Sequence, residues 1–243
     1  MTRESEPGRS TSGLFTSRSV DWALCVVSLL GFIIALWMVF EYAPREQVMG
    51  EIQRIFYFHV ASAWVGFFGF FVTALGGAAF LVTGRREWDV LSLSSAEIGL
   101  GFITMTVISG MLWAKPVWGV YWTWEPRLTI SAVQWLLYVS YVMLRGSVES
   151  LEREARFAAV YGVVAFGTVP LSWFAIRWWR TLHPLIISVN EMAITSSMTT
   201  TLFVSLAAFT ILYLTLLRQR FVLEVAKDQR THLRRALTRQ VGG

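Results

Sequence analysis

Charge is scarce in this chain. Only 15% of its 243 residues are Asp, Glu, Lys or Arg, against roughly 25% in a soluble domain. That deficit, with a mean hydropathy of +0.53, argues against a soluble enzyme. It also excludes an intrinsically disordered chain. Cysteine is scarcer still. Cys25 stands alone, so no intramolecular disulfide can close. No C-x-x-C-H site is present, so the chain is not itself a c-type cytochrome. A G-x-x-x-x-G-K-[ST] loop is missing, which excludes a P-loop ATPase. No fixed period marks an internal repeat. What remains is apolar: 55% hydrophobic residues, among them 12 Trp and 17 Phe.

Reading from charge to charge yields six long intervals. They run from Asp21 to Glu41, Arg54 to Arg85, Asp89 to Lys115, Arg127 to Arg145, Arg156 to Arg177 and Glu191 to Arg218, and enclose 19, 30, 25, 17, 20 and 26 residues. Glu97 alone interrupts the third. A bilayer core needs about 20 apolar residues per helix, with a range of about 17–25, and only helices keep every backbone group paired in lipid at such spacing. The expected fold is all-α: a polytopic membrane protein of six transmembrane helices over 20–218. A flexible tail precedes it over 1–19, and a basic tail follows over 219–243. The first interval is too long for a signal-peptide core, and no small-x-small cleavage site follows it.

Lys and Arg set the orientation. The N-tail, Arg85 with Arg86, the loop of Arg145, Arg153 and Arg156, and the C-tail together carry 15 of them. The other side carries 6: Arg45, Arg54, Lys115, Arg127, Arg177 and Arg180. Positive-inside reasoning puts both termini in the cytoplasm. The basic tail is then matched to anionic lipid rather than to nucleic acid.

Three outer loops follow, at about 42–53, 115–127 and 177–198. Seven tryptophans sit in or beside the last two: Trp113, Trp118, Trp122, Trp124, Trp173, Trp178 and Trp179. Tyr121 adds a further ring. An interfacial belt would decorate both faces, yet only Trp22 and Trp88 lie near the other one. Two of the three histidines share the aromatic side. His59 comes five residues after Arg54, about 7.5 Å down the second helix, and His183 lies in the third outer loop. His232 falls in the basic tail. An ionisable residue at membrane depth is a functional candidate. Zinc would want three or four protein ligands. Haem accepts one imidazole on each face of its iron and stacks on rings. Its propionates want cations, and Arg54, Arg127, Arg177, Arg180 and Lys115 are the outer-side candidates.

The segment from Trp118 to Thr129, WGVYWTWEPRLT, resembles the tryptophan-rich WWD signature of haem-handling proteins in cytochrome c biogenesis. Trp113-Ala-Lys-Pro116 before it also matches. Arg54-Ile-Phe-Tyr-Phe-His59 is similar to the first haem-ligand helix of these proteins, and Trp178-Trp-Arg-Thr-Leu-His183 to the second. The likeness covers nearly all of 20–218. With six helices and this length, the chain resembles the CcmC type of the CcmC/CcsA haem-handling WWD family. Two positions depart from the pattern: Glu125 stands where Asp is usual, and Tyr121 where Trp is usual.

The resemblance implies a carrier rather than an enzyme, held in the bacterial cytoplasmic (inner) membrane. Haem b would be held for transfer at the outer face by a WWD loop at about 113–129, with His59 and His183 on the iron. Trp113, Trp118, Tyr121, Trp122, Trp124, Glu125, Arg54 and Arg127 would complete the site. The haem would pass to the chaperone CcmE. The transporter subunits CcmA and CcmB and the small subunit CcmD are the implied partners. Glu125 would orient Arg127, the backbone or the partner, or cap the fourth helix ahead of Pro126.

Competing readings are a CcsA-type haem–apocytochrome c ligase, a b-type membrane cytochrome and a small-molecule transporter. The first would bring extra intramembrane histidines, the second a His pair within the bilayer, and the third repeat halves. Pro170 is expected to kink the fifth helix. Glu97 should snorkel or pair with a neighbouring helix. Gly99, Gly101 and Gly110 should allow close helix approach.

Overall fold

The computed structural model describes residues 18–147, 150–179, 183 and 194–241, and the long elements among them are all helices. α1 (Arg18–Trp37) continues through a π-helical turn, Met38–Tyr42. A 3-10 turn, Glu51–Arg54, leads into α2 (Ile55–Thr83). Then come α3 (Arg86–Trp118), α4 (Pro126–Leu144), α5 (Leu151–Phe166), α6 (Thr168–Trp178) and α7 (Ser196–Val241). With α5 and α6 counted as one, six spans are long and apolar enough to cross a membrane. That is the number the charge intervals predict.

Four boundaries differ from the sequence reading. α3 runs past Lys115, because the lysine bends its ammonium to the Gly119 carbonyl at 3.0 Å. The helix stops instead at Gly119, whose left-handed backbone (φ 78) donates to the Lys115 carbonyl, the usual use of a C-terminal glycine. The connection between α3 and α4 is therefore 119–125, with Trp113 and Trp118 on α3. At the other end of the chain, α7 continues through 218–219 without a break. Its charges pair along the helix, Arg220 with Glu224 and Lys227 with Glu224, which supports helix beyond the apolar stretch. Arg18 and Ser19 already belong to α1, while residues 1–17 of the expected tail lie outside the described residues. The expected break near Pro170 falls at Gly167. Pro170 cannot donate to the Phe166 carbonyl and crowds it, so the α5 ladder ends there.

α2 is the central helix, packed against α3, α5 and α7, while α1 lies along α7 and α4 against α3, α5 and α6. Lipid tails are as apolar as leucine, so helices in a membrane gain from close fit rather than from burial alone. The fit here is made by small residues. A Cβ at Gly69 would stand 3.0 Å from the Gly99 Cα, one at Gly76 2.9 Å from the Trp88 carbonyl, and one at Gly77 3.1 Å from the Ala159 carbonyl. Gly66 faces Ile103 in the same way. Buried hydroxyls fasten the contact. Ser95 Oγ lies 2.6 Å from both the Gly69 carbonyl and the Tyr213 hydroxyl. Gly99 thus serves close approach as expected; Gly101 does not, since nothing lies within 4 Å of its Cβ position.

Charges gather at the end of the bundle where α2 finishes. Asp89, 1% exposed, is held by Arg86 and by Arg145 Nη2 at 2.6 Å. Arg86 also reaches Asp228 of α7. Glu97 pairs with Arg220 through both carboxylate oxygens, at 2.6 and 3.0 Å, so the expected inter-helix partner is found. Asp21 meets Arg218 at 2.5 Å. A buried charge is tolerated only when paired, and these pairs tie α1, α3, α4 and α7 together.

Gly69→Val should destabilise the bundle by about 1–3 kcal/mol, the usual cost of overpacking, whereas Gly101→Ala should be neutral. Thermal unfolding in detergent, followed by tryptophan fluorescence, checks both.

Candidate functional site

His59 lies just over one turn into α2, and its position depends on α3. Its Nδ1 is 3.1 Å from Ser109 Oγ, and Ser109 Oγ is 3.1 Å from the Thr106 carbonyl. With the single hydroxyl proton of Ser109 given to the Thr106 carbonyl, the serine oxygen accepts from His59 and the imidazole proton sits on Nδ1. The lone pair is left on Nε2, the nitrogen free to coordinate a metal. Gly110 makes room for the ring: a Cβ there would stand 3.0 Å from His59 Cε1. Neither Ser109 nor Gly110 was assigned to His59 from sequence. The available signal was helical spacing, since 106, 109, 110 and 113 share one face of α3 and end on Trp113.

His183 approaches from the loop after α6. Its ring centre is 6.2 Å from that of His59, with 41° between the planes. Trp118 stands edge-on to it at 6.3 Å. Glu125 Oε1 lies 3.9 Å from its Nδ1. Burial, with Arg127 and His59 nearby, pushes the His183 pKa down from 6.5 to about 3. The imidazole is therefore neutral at physiological pH, the form a metal requires.

The rings form two edge-to-face pairs, Trp113 with Trp118 at 5.2 Å and Trp122 with Trp124 at 5.9 Å. Trp124 is 77% exposed and Tyr121 is also exposed, with Lys115 over the Tyr121 ring at 5.3 Å. Trp122 Nε1 and Thr123 Oγ1 are buried without a hydrogen-bond partner among the described residues. Glu125 occupies the cap position of α4, followed by Pro126, but makes no side-chain cap bond. Its carboxylate faces His183 instead.

The cations divide. Arg127 stays at the site end, its Nη1 3.3 Å from the Ser172 carbonyl. Arg54 is engaged with the Val39 carbonyl, Glu51 and the Phe40 ring, so its described contacts run to α1 and to its own turn. Arg177 lies over the Trp173 ring at 5.9 Å. Trp178 stacks on Phe174 and meets Trp179 edge-on, apart from the histidine pair. Arg180 lies outside the described residues. Among the described residues, no three His, Cys, Asp or Glu groups converge as a metal site would need. The pair His59 and His183 suits a metal that brings its own equatorial ligands.

A sequence profile described as CcmC, Heme exporter protein C, matches residues 6–236. The chain belongs to the CcmC family. It is 31% identical over 203 residues to "Heme exporter protein C" of Bradyrhizobium diazoefficiens, covering 83% of this chain and 76% of that protein. It is 28% identical over 211 residues to "Heme exporter protein C" of Haemophilus influenzae, covering 85% and 84%. A "Putative cytochrome c biosynthesis ccmC-like mitochondrial protein" of Marchantia polymorpha is 29% identical over 198 residues, covering 80% and 84%. This CcmC family member thus shares most of its length with its relatives, and all six candidate spans fall largely within the matched range.

Proposed function

We propose that this chain is a haem carrier in cytochrome c maturation, with haem as its cargo at the ring-lined end of the bundle. The observation that carries the reading is the facing pair His59 and His183. Two imidazoles that each reach one metal at about 2.0–2.1 Å hold their ring centres roughly 6 Å apart, and 6.2 Å is the separation here. Both rings are half-buried, and each turns Nδ1 toward a protein group, Ser109 or Glu125. Such outer partners orient metal-binding histidines and raise their basicity.

The chemistry of the surroundings agrees. Trp118 covers His183, and the exposed rings of Tyr121 and Trp124 extend the apolar surface beside it. Stacking on such rings adds about 0.5–1.5 kcal/mol per pair beyond buried area. Trp122 Nε1 is a buried donor that a carboxylate would satisfy. Arg127 supplies positive charge at the same end, while Arg54 serves the α1–α2 junction. Bound iron would draw on both imidazoles as axial ligands. The protein's own part is to hold two neutral imidazoles opposed, shield them from water and present an open aromatic edge.

The positive-inside count puts this end on the outer face of a bacterial inner membrane, with both termini in the cytoplasm. The cargo passes to the chaperone CcmE, beside CcmA, CcmB and CcmD. The chain is a holder rather than a catalyst.

The visible spectrum of the purified protein supplied with haem tests this. The parent should show a low-spin bis-histidine Soret band that fades or shifts in both His59→Ala and His183→Ala. An unchanged band in both variants would overturn the axial-ligand assignment. Replacing Trp118, Trp122 and Trp124 together by Ala should abolish loading of CcmE in a reconstituted transfer assay. Ser109→Ala should weaken haem retention about 10–100-fold, the usual cost of losing an outer-shell partner, and Ser109→Thr should restore it. Haem dissociation kinetics read that difference.

A further inference from the structure

α4 carries a polar residue at each inward register. Arg127, Ser131, Gln134, Tyr138, Tyr141 and Arg145 follow one another at spacings of 4, 3, 4, 3 and 4, which is one face of a helix. At 1.5 Å per residue the stripe rises about 27 Å, close to the ~30 Å of a hydrocarbon core. It faces the bundle. Gln134 is 1% exposed, and Tyr138 and Tyr141 are fully buried, while Val133, Leu136 and Met143 on the other face are exposed. Polar residues inside membrane bundles hydrogen-bond between helices or line water-filled paths.

The two ends of the stripe are bonded and its middle is not. Arg145 Nη2 donates to the Tyr141 hydroxyl at 2.9 Å and to Asp89 at 2.6 Å. Tyr141 meets Ser92 Oγ at 3.0 Å, and Ser92 donates to the Thr73 carbonyl. At the histidine end, Arg127 reaches the Ser172 carbonyl, and Ser131 donates to the Arg127 carbonyl at 2.9 Å. Between them, Gln134 Oε1, Gln134 Nε2 and the Tyr138 hydroxyl have no partner among the described residues, though all three are buried. Such groups are costly when dry, and lipid offers them nothing.

Water fits the gap. Along the helix, Ser131 to Gln134 rises about 4.5 Å and Gln134 to Tyr138 about 6 Å. One water bridging two groups at about 2.8 Å each spans about 5.6 Å. Buried waters typically make about three hydrogen bonds, and the glutamine amide offers both donors and an acceptor. We propose that α4 lines a chain of internal waters anchored on Gln134 and Tyr138, which joins Arg127 at the histidine end to the Arg145–Asp89 cluster at the opposite end. The Arg127 guanidinium is then solvated from inside the bundle as well as from the loop. The proposal does not depend on the cargo of the site.

Radiolytic hydroxyl-radical footprinting of the full chain in lipid nanodiscs tests it, because a buried ring is oxidised quickly only when a water sits beside it. Tyr138 should be oxidised several-fold faster than Tyr213, which is equally buried but has its hydroxyl bonded to Ser95. Gln134→Leu should lower the Tyr138 rate while leaving exposed Tyr121 unchanged. A Tyr138 rate in the parent no higher than that of Tyr213 would overturn the proposal. So would a Gln134→Leu protein that melts several degrees higher with an unaltered Tyr138 rate, since removing a dry, unpaired amide is what stabilises.

Discussion

The register of α2 against α3 governs the histidine end of this protein. The two helices are antiparallel, and their facing pairs keep one numbering relation from end to end. Gly76 meets Ser92, Gly69 meets Gly99, Gly66 meets Ile103, and His59 meets Ser109 and Gly110. In each of these pairs the residue numbers total 168 or 169, and the contacts of Gly76 with Trp88 and Gly69 with Ser95 lie one helical turn away at 164. The backbone contact at Gly69 and Gly99 leaves no space for sliding, and Ser95, one turn away on α3, bonds the two helices through the Gly69 carbonyl. A slip by one helical turn would move the His59 ring by about 5.4 Å and take it away from both the hydroxyl that sets its tautomer and the glycine that accommodates it. Glycine packing deep in the bundle therefore determines where the His59 ring sits near its surface.

The two ends of the bundle solve opposite electrostatic problems. Where α2 finishes, charges from α1, α3, α4 and α7 are paired, and Asp89 is buried between two arginines. Each ion offsets the desolvation of its partner, so that end is fastened. Where α2 begins, rings dominate and the two histidines face each other. His183 is held neutral by burial beside Arg127 and His59. That end has few inter-helix ion pairs among the described residues and the exposed rings of Tyr121 and Trp124.

α4 connects the ends and faces both solvents of the protein. Its outward residues Val133, Leu136 and Met143 meet lipid, and its inward residues from Arg127 to Arg145 carry hydrogen-bonding groups. This reverses the amphipathicity of a helix on a soluble protein. The helix begins after Glu125 at Pro126, so Glu125, whose carboxylate faces His183, and Arg127 enter the same end of the bundle from its first turn.

Much of this was legible in the sequence. Six apolar intervals bounded by charge specify six spans, because backbone pairing in lipid leaves the chain few other structures. The two histidines, the tryptophan segment and the end of the bundle they share follow from counting along those spans. The ends of α3 and α7 did not follow, since Lys115 and the α7 charges are satisfied by local bonds that a count of charges does not see. Ser109, Gly110 and the carboxylate of Glu125 against His183 were not legible either. Each acts on a residue distant in sequence, and such a contact exists only once α2, α3 and the loops are packed. Composition and periodicity determined the elements and their number. Tertiary packing alone decided which hydroxyl meets His59 Nδ1 and which side chains surround the ring, because hydrogen bonds and steric contacts of a few ångströms depend on helix register.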